Sequence, residues 1–123
     1  MDVITNSITE KIIGCAYEVG NILGHGFLEK VYENALIIEL RNAGLKVESQ
    51  KELKIAYKGE DVGVYYPDIL VDSRVIVELK TIKEIEKIHL AQVMNYLRAC
   101  NLNYGLVINF GHPKVQVKRV VIT

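Results

Sequence analysis

Hydrophobic residues recur at helical spacing twice near the start of the chain. Ile8, Ile12, Cys15, Ala16 and Val19 form one apolar stripe. Ser7-Ile8-Thr9-Glu10 has the form of a capping box, so a helix is expected to begin near Ser7. Gly20, Gly24 and Gly26 interrupt the pattern. A second stripe, from Leu28 through Val31, Tyr32, Ala35, Leu36 and Leu40, predicts a second helix that stops at Gly44.

From Leu45 the period shortens toward two. Leu53, Ile55 and Tyr57 alternate with polar positions and predict a half-buried strand, closed by a turn at Lys58-Gly59-Glu60-Asp61. A second strand is expected over residues 62–71, then a turn at Asp72-Ser73-Arg74. Residues 75–80 form a third strand, apolar almost to its end, as a central strand buried on both faces would be. Helical spacing returns over 85–101, with Leu90, Val93, Met94 and Leu97 as the core stripe. A strongly apolar strand at 104–110, a turn at Gly111-His112-Pro113 and a lysine-bearing edge strand at 115–122 complete the chain. The order helix, helix, three strands, helix, two strands predicts an α/β fold with one mixed sheet, in a single domain over residues 1–123.

Composition narrows the function classes. The chain has 123 residues, half of them hydrophobic and 24% charged, which is globular rather than disordered or fibrous. Lys+Arg and Asp+Glu number 15 each, so no whole-molecule basic field pulls in nucleic acid. A local basic groove remains open, because Lys51, Lys54, Lys58, Lys80, Lys83 and Lys87 cluster mid-chain, and Lys114, Lys118 and Arg119 near the end. Cys15 and Cys100 stand apart from any metal-binding pair and read as buried thiols, suited to a reducing cytoplasm. No signal peptide or membrane span is visible, so a soluble, cytoplasmic protein is expected.

The candidate chemistry lies at the end of the third strand. Pro67-Asp68 is followed after nine residues by Glu78-Leu79-Lys80. If the turn is Asp72-Ser73-Arg74, Val71 pairs with Val75 and the ladder sets Asp68 opposite Glu78, on one sheet face. Lys80, two residues on, points to that same face. Two opposed carboxylates repel, and a hard divalent cation such as Mg²⁺ reverses the sign of that interaction. The lysine could then position or help deprotonate the attacking water, or neutralise charge building on a phosphate. Alone, the triplet also fits a solvated strand face, and one residue more in the turn would separate the two acids. Its place at the end of an apolar strand argues for a partner or a metal.

Further polar positions line up with it. His89, Gln92 and Tyr96 share one stripe of the third helix at spacings of three and four, although by themselves they fit a surface glutamine beside a half-buried tyrosine. Gly26-x-x-Glu29-x-x-Tyr32 opens the second helix; alone, Glu29 would only complement the helix dipole and Tyr32 would be ordinary core.

Taken together these segments resemble the GxxExxY proteins within the PD-(D/E)XK nuclease superfamily. The matching stretches are Gly26-x-x-Glu29-x-x-Tyr32-Glu33-Asn34-Ala35-Leu36, Asp68-Ile69-Leu70-Val71, Val75-Ile76-Val77-Glu78-Leu79-Lys80, the run from His89 to Leu97, and the run from Gly105 to Gly111. The resemblance implies a restriction-endonuclease-like αβββαβ core, a mixed central sheet flanked by helices. It implies Asp68 and Glu78 as metal ligands for Mg²⁺ or Mn²⁺, Glu29 as an additional metal ligand, and Lys80 as the catalytic lysine. Gln92 would orient the lysine or the substrate, and Tyr96, Tyr32 and His89 are the candidate substrate contacts. The chain departs from the family pattern at His25, where proline is usual, at Gly20, where histidine is common, and at Pro67, where alanine is frequent; none of these removes a proposed ligand.

The function expected is a metal-dependent nuclease, with DNA ahead of RNA as substrate and a homodimer as a plausible assembly. The alternative is a non-catalytic nucleic-acid-binding or assembly module that keeps the nuclease fold. An unrelated small-molecule α/β enzyme finds no support, since there is no phosphate loop, GxGxxG or Ser/His/Asp arrangement.

Overall fold

The computed structural model describes residues 2–123. Two helices come first, α1 (Val3–Leu23) and α2 (Glu29–Asn42). Five strands follow, β1 (Val47–Ser49), β2 (Leu53–Tyr57), β3 (Glu60–Tyr65), β4 (Ile69–Val71) and β5 (Val75–Lys80). Then come α3 (Lys87–Ala99), β6 (Tyr104–Asn109) and β7 (Gln116–Val121). The main sheet runs β1-β4-β5-β6-β7, with β5 and β6 parallel and every other neighbour antiparallel. The mixed α/β architecture is the one expected.

Three features differ from the sequence reading. The first helix starts at Val3, not near Ser7, because Asp2 caps it: its carboxylate accepts the Thr5 N–H at 2.7 Å and the Thr5 hydroxyl at 3.0 Å. The single strand expected over 62–71 is two strands in different sheets. Pro67 has no N–H to give to a ladder, so the chain breaks at Tyr66-Pro67-Asp68. β3 pairs back on β2 as a separate hairpin, while β4 joins the main sheet. The short edge strand β1, paired with β4 from Val47↔Val71 to Ser49↔Ile69, was not anticipated.

The sheet separates two cores. Val75, Val77 and Leu79 of β5, with Ile69, Val71, Leu106 and Ile108, pack against Ile8, Ile12, Ala16 and Val19 of α1 and Tyr32, Leu36 and Leu40 of α2. Ile76, Leu70 and Val107 face the other way, toward Val93 and Leu97 of α3 and Tyr65 at the end of the hairpin. β5 is therefore covered on both sides, as its apolar run requires. The alternation of its side chains places Glu78 and Lys80 on the Ile76 face, beneath α3. Cys15 and Cys100 are half-buried free thiols. No helix among the described residues is long and apolar enough to cross a membrane.

The rim where β5 and β6 end is held by Asn109, which is fully buried. Its amide oxygen accepts the N–H groups of Ile82 at 3.0 Å and Gly111 at 2.9 Å. Its amide nitrogen donates to the Ile82 carbonyl at 2.9 Å and to the Gln116 Oε1 at 3.0 Å, so every polar atom of the side chain is used. Gly111 fits because it has no side chain: a Cβ there would fall on the backbone of Thr81 and Ile82. Backbone cannot rotate aside as a side chain does, so Gly111→Ala is expected to destabilise the protein by about 2–3 kcal/mol. Chemical denaturation would check this; a loss under about 0.5 kcal/mol would show that the rim gives way readily.

Candidate active site

The β4–β5 hairpin sets the two acids. Asp72 and Ser73 both take positive φ, the turn closes with Val71 paired to Val75, and Ile69 lies opposite Val77. One step further along that ladder sets Asp68 across from Glu78, as the turn length implied. Asp68 does more than face its neighbour. Pro67 ends the β4 ladder, and the Asp68 Oδ2 accepts the Leu79 N–H at 2.8 Å, taking the place of the missing strand partner. The peptide N–H of Gln50 donates to the Asp68 carbonyl at 3.2 Å, and its side-chain amide donates to the Asp68 Oδ1 at 3.4 Å.

Glu78 is half-buried, and its Oε1 accepts a short hydrogen bond from the Tyr65 hydroxyl. Burial, and next the charge of Asp68, push its carboxyl up to about 8, opposed by the tyrosine hydrogen bond and the Lys80 charge. The Tyr65 hydroxyl is raised in turn, first by burial and then by the Glu78 charge. Glu29, at the first position of α2, is raised by the surrounding protein, then by Asp68, while Lys80 lowers it. Glu29 is therefore within electrostatic reach of both groups.

A cleft of about 160 Å³ opens over this point, lined by Tyr65, Tyr66, Glu78, Lys80, Gln92, Val93 and Tyr96. Four of the residues picked from sequence meet there: Glu78, Lys80, Gln92 and Tyr96. The rings of Tyr65 and Tyr96 stack with centroids 3.8 Å apart and planes 4° from parallel, which fixes the wall between hairpin and α3. The other candidates go elsewhere. His89 uses its Nδ1 to accept the Glu86 N–H at 2.9 Å, tying the first turn of α3. Tyr32 is 0% exposed and stacks on Phe110, with centroids 4.6 Å apart. Its hydroxyl donates to the Gly24 carbonyl at 2.7 Å and accepts the Phe27 N–H at 3.2 Å. Tyr32 thus meets no solute here; it clamps the loop that leads to Glu29. Tyr32→Phe is expected to cost about 1–2 kcal/mol in thermal unfolding, because both loop groups lose their partner, and to leave KM unchanged. A raised KM at unchanged stability would put the ring back among the substrate contacts.

Sequence reasoning missed Tyr65, Tyr66, Gln50 and Glu33. Tyr65 reads as a core aromatic, and nothing in its spacing announces a hydroxyl aimed at Glu78. Gln50 sits at a positive φ, and its side chain links Asp68 to Glu33, whose Oε1 it reaches at 3.2 Å. Glu33 is 4% exposed and pairs with Lys30. Its position four residues after Glu29, on the same helical face, was the available signal. Of the mid-chain lysines, Lys51 is engaged with Glu48 at 2.9 Å and Lys54 with Asp61 at 3.7 Å, which weakens the basic groove.

The donor chemistry suits a hard divalent cation. Two carboxylates face each other at the end of a buried strand, and one of them stays costly to ionise even with the Lys80 charge acting on it. Among the described residues no three His, Cys, Asp or Glu side chains are already gathered into a metal site.

Fold and cleft define a mixed α/β protein with an acid-and-lysine site at the end of its central strand. Residues 6–120 match the family model of the PD-(D/E)XK nuclease superfamily, and the chain belongs to that superfamily. A comparison with the curated proteins finds no match. The crystal structure of SSO0001 is similar with a TM-score of 0.55 and 17% identity, over 75% of this chain and 48% of that one. The chain thus spans about half the length of that protein. An alkaline exonuclease, LHK-Exo, from Laribacter hongkongensis is similar with a TM-score of 0.50 and 11% identity, over 88% of this chain and 76% of that one. At such identities the likeness concerns the fold alone.

Proposed function

We propose that the chain is a metal-dependent nuclease of the GxxExxY type, hydrolysing phosphodiester bonds of nucleic acid, with DNA ahead of RNA. The observation that carries this reading is the convergence of Glu78, Lys80, Gln92 and Tyr96 on one cleft, with Asp68 facing Glu78 across the hairpin. Asp68 and Glu78 would hold Mg²⁺ or Mn²⁺, and Glu29 would join them. The bound cation would polarise the phosphate and neutralise charge on its oxygens. Lys80 presents an ammonium beside the same carboxylates, where it positions the attacking water and stabilises charge developing on the phosphate. Gln92 and Tyr96, on the facing helix, orient the lysine and the substrate. Recognition through a homodimer and a cytoplasmic setting complete the proposal; the half-buried thiols fit a reducing compartment.

The test is cleavage of single- and double-stranded DNA and RNA in Mn²⁺, comparing the intact protein with Lys80→Ala. Cutting by the intact protein and none by the variant supports the reading. Equal cutting by both assigns the activity to a contaminant and removes the proposal.

A second reading is favoured by one observation, the absence of a ready three-carboxylate group among the described residues. The chain would then be a non-catalytic nucleic-acid-binding module. It would bind nucleic acid without Mn²⁺, and that affinity would survive Asp68→Asn.

A further inference from the structure

We infer that a second cavity, on the opposite face of the sheet from the acidic cleft, is a subsite for a backbone phosphate of the nucleic-acid strand. The inference rests on the nuclease reading.

The cavity measures about 200 Å³. Its polar lining is Tyr17 and Asn21 from α1, His25 from the α1–α2 loop, and His112 and Lys114 from the β6–β7 turn, over a floor that includes Phe110. These side chains offer an ammonium, two imidazoles, an amide and a phenol. No carboxylate lines the cavity, in a chain that carries as many acids as bases. Such a lining selects an oxyanion over a cation.

Both walls of the cavity run directly into the active site. The loop bearing His25 is fixed by the Tyr32 hydroxyl at Gly24 and Phe27, and it ends at Glu29. The turn bearing His112 follows Phe110, whose N–H donates to the Lys80 carbonyl at 2.9 Å. Asn109 and the close approach of Gly111 hold the start of that turn against Thr81 and Ile82. Ligand position in the cavity is therefore tied through backbone to Lys80 and Glu29.

One imidazole is already oriented. The His112 Nδ1 lies 2.8 Å from the Lys114 carbonyl oxygen and 3.3 Å from the Lys114 N–H, so either tautomer ties the ring to its own turn through Nδ1. That leaves the Nε2 side of the ring for a ligand. A strand whose scissile phosphate sits in the acidic cleft would pass over the rim where β5 and β6 end, and bring a phosphate further along the strand to this cavity.

The experiment measures steady-state cleavage of a labelled oligonucleotide that the intact protein cuts, in Mn²⁺, for His112→Ala/Lys114→Ala and for His25→Ala. The double variant is expected to raise KM about tenfold and leave kcat within about twofold, with the dependence of log KM on log salt shallower by about one contact. Lys118→Ala, exposed on β7, is the control and leaves KM in place. A cutting enzyme whose KM ignores the double variant overturns the inference. Titration with inorganic phosphate, read from the His25 and His112 ring resonances, tests the cavity without cleavage. Saturable shifts lost in Lys114→Ala support an anion site; no shift overturns it. Phosphate binding with KM unchanged makes the cavity a free-phosphate site and removes the strand assignment. If the intact protein cuts nothing, the nuclease reading fails by itself, and no shift with phosphate would then sink the anion site separately.

Discussion

Cleavage is expected to fall by at least about a thousandfold when Lys80 becomes alanine, with the fold intact. The fold should survive because the backbone of Lys80 carries the structural role. Its carbonyl accepts the Phe110 N–H, and its place at the end of β5 is set by pairing with Asn109 of β6. The side chain is half-buried and forms no ion pair within 4 Å among the described residues. The ammonium lowers the pKa of both Glu78 and Glu29, so removing it takes a positive charge from a site that is to hold a cation. Mn²⁺ affinity should therefore hold or tighten while turnover collapses, a split that a merely structural lysine would not produce. Lys80→Arg sharpens the point: arginine keeps the charge but is bulkier and does not give up its proton. Partial activity in Lys80→Arg would mark charge stabilisation as the main contribution, and none would mark proton transfer or fit. Initial rates on DNA, with circular dichroism melts of each variant, decide the matter. An alanine variant within tenfold of the intact protein would remove Lys80 from the chemistry.

Why these parts of the protein could be read from sequence, and others not, follows from how each is stabilised. Residues 75–80 announced a central strand because burial on both faces leaves a continuous apolar run, and its charged end stood out against that run. The turn length then carried the pairing of Val71 with Val75, and with it the facing of Asp68 and Glu78. The split of residues 62–71 was legible in principle, since Pro67 stands in the middle, but β-favouring residues on both sides hid two sheets as one strand. β1 is three residues long with a polar centre and gains its place only from β4, so no local pattern reveals it. Asp2 outcompeted Ser7 as a cap because Thr5 reinforces it with two hydrogen bonds. In the site, the same limit applies. Glu78, Lys80, Gln92 and Tyr96 lie on two elements whose faces are periodic, and periodicity brought them together. Gln50, in a loop at positive φ, and Tyr65, at the end of a hairpin folded over the sheet, depend on tertiary placement alone. His89 and Tyr32 were on the correct elements, but the His89 Nδ1 is spent on the first turn of α3 and the Tyr32 hydroxyl on the loop before α2.

The metal-free protein is expected to lose stability as pH rises, and Glu78→Gln to abolish that loss together with the activity. The unfolded Glu78 carboxyl ionises near the ordinary glutamate value of 4.5, the folded one at about 8. Between those values the folded state binds the extra proton, so stability is fully present below about pH 4.5 and declines as pH climbs toward 8. Each pKa unit corresponds to about 1.4 kcal/mol, which bounds the loss at roughly 3–5 kcal/mol; partial exposure of the group brings it toward the lower end. Glutamine fills the same volume without the charge that burial and Asp68 oppose. The metal-free variant should therefore be more stable than the parent at pH 8 by about 2 kcal/mol or more, and indistinguishable from it near pH 4.5. Mn²⁺ should reverse the ranking by stabilising the parent alone, since a ligand shifts unfolding only through the state that binds it. Urea unfolding in chelator and in Mn²⁺ across this pH range reads all four quantities. Metal-free stability that is flat from pH 5 to 8 would show that the Asp68–Glu78 pair is already relieved by solvent. Equal Mn²⁺ stabilisation of both proteins would place the cation away from Glu78. The expected pattern, a carboxylate that weakens the empty fold and is indispensable to the loaded one, is the energetic mark of an acid kept for the metal it holds rather than for the structure it occupies.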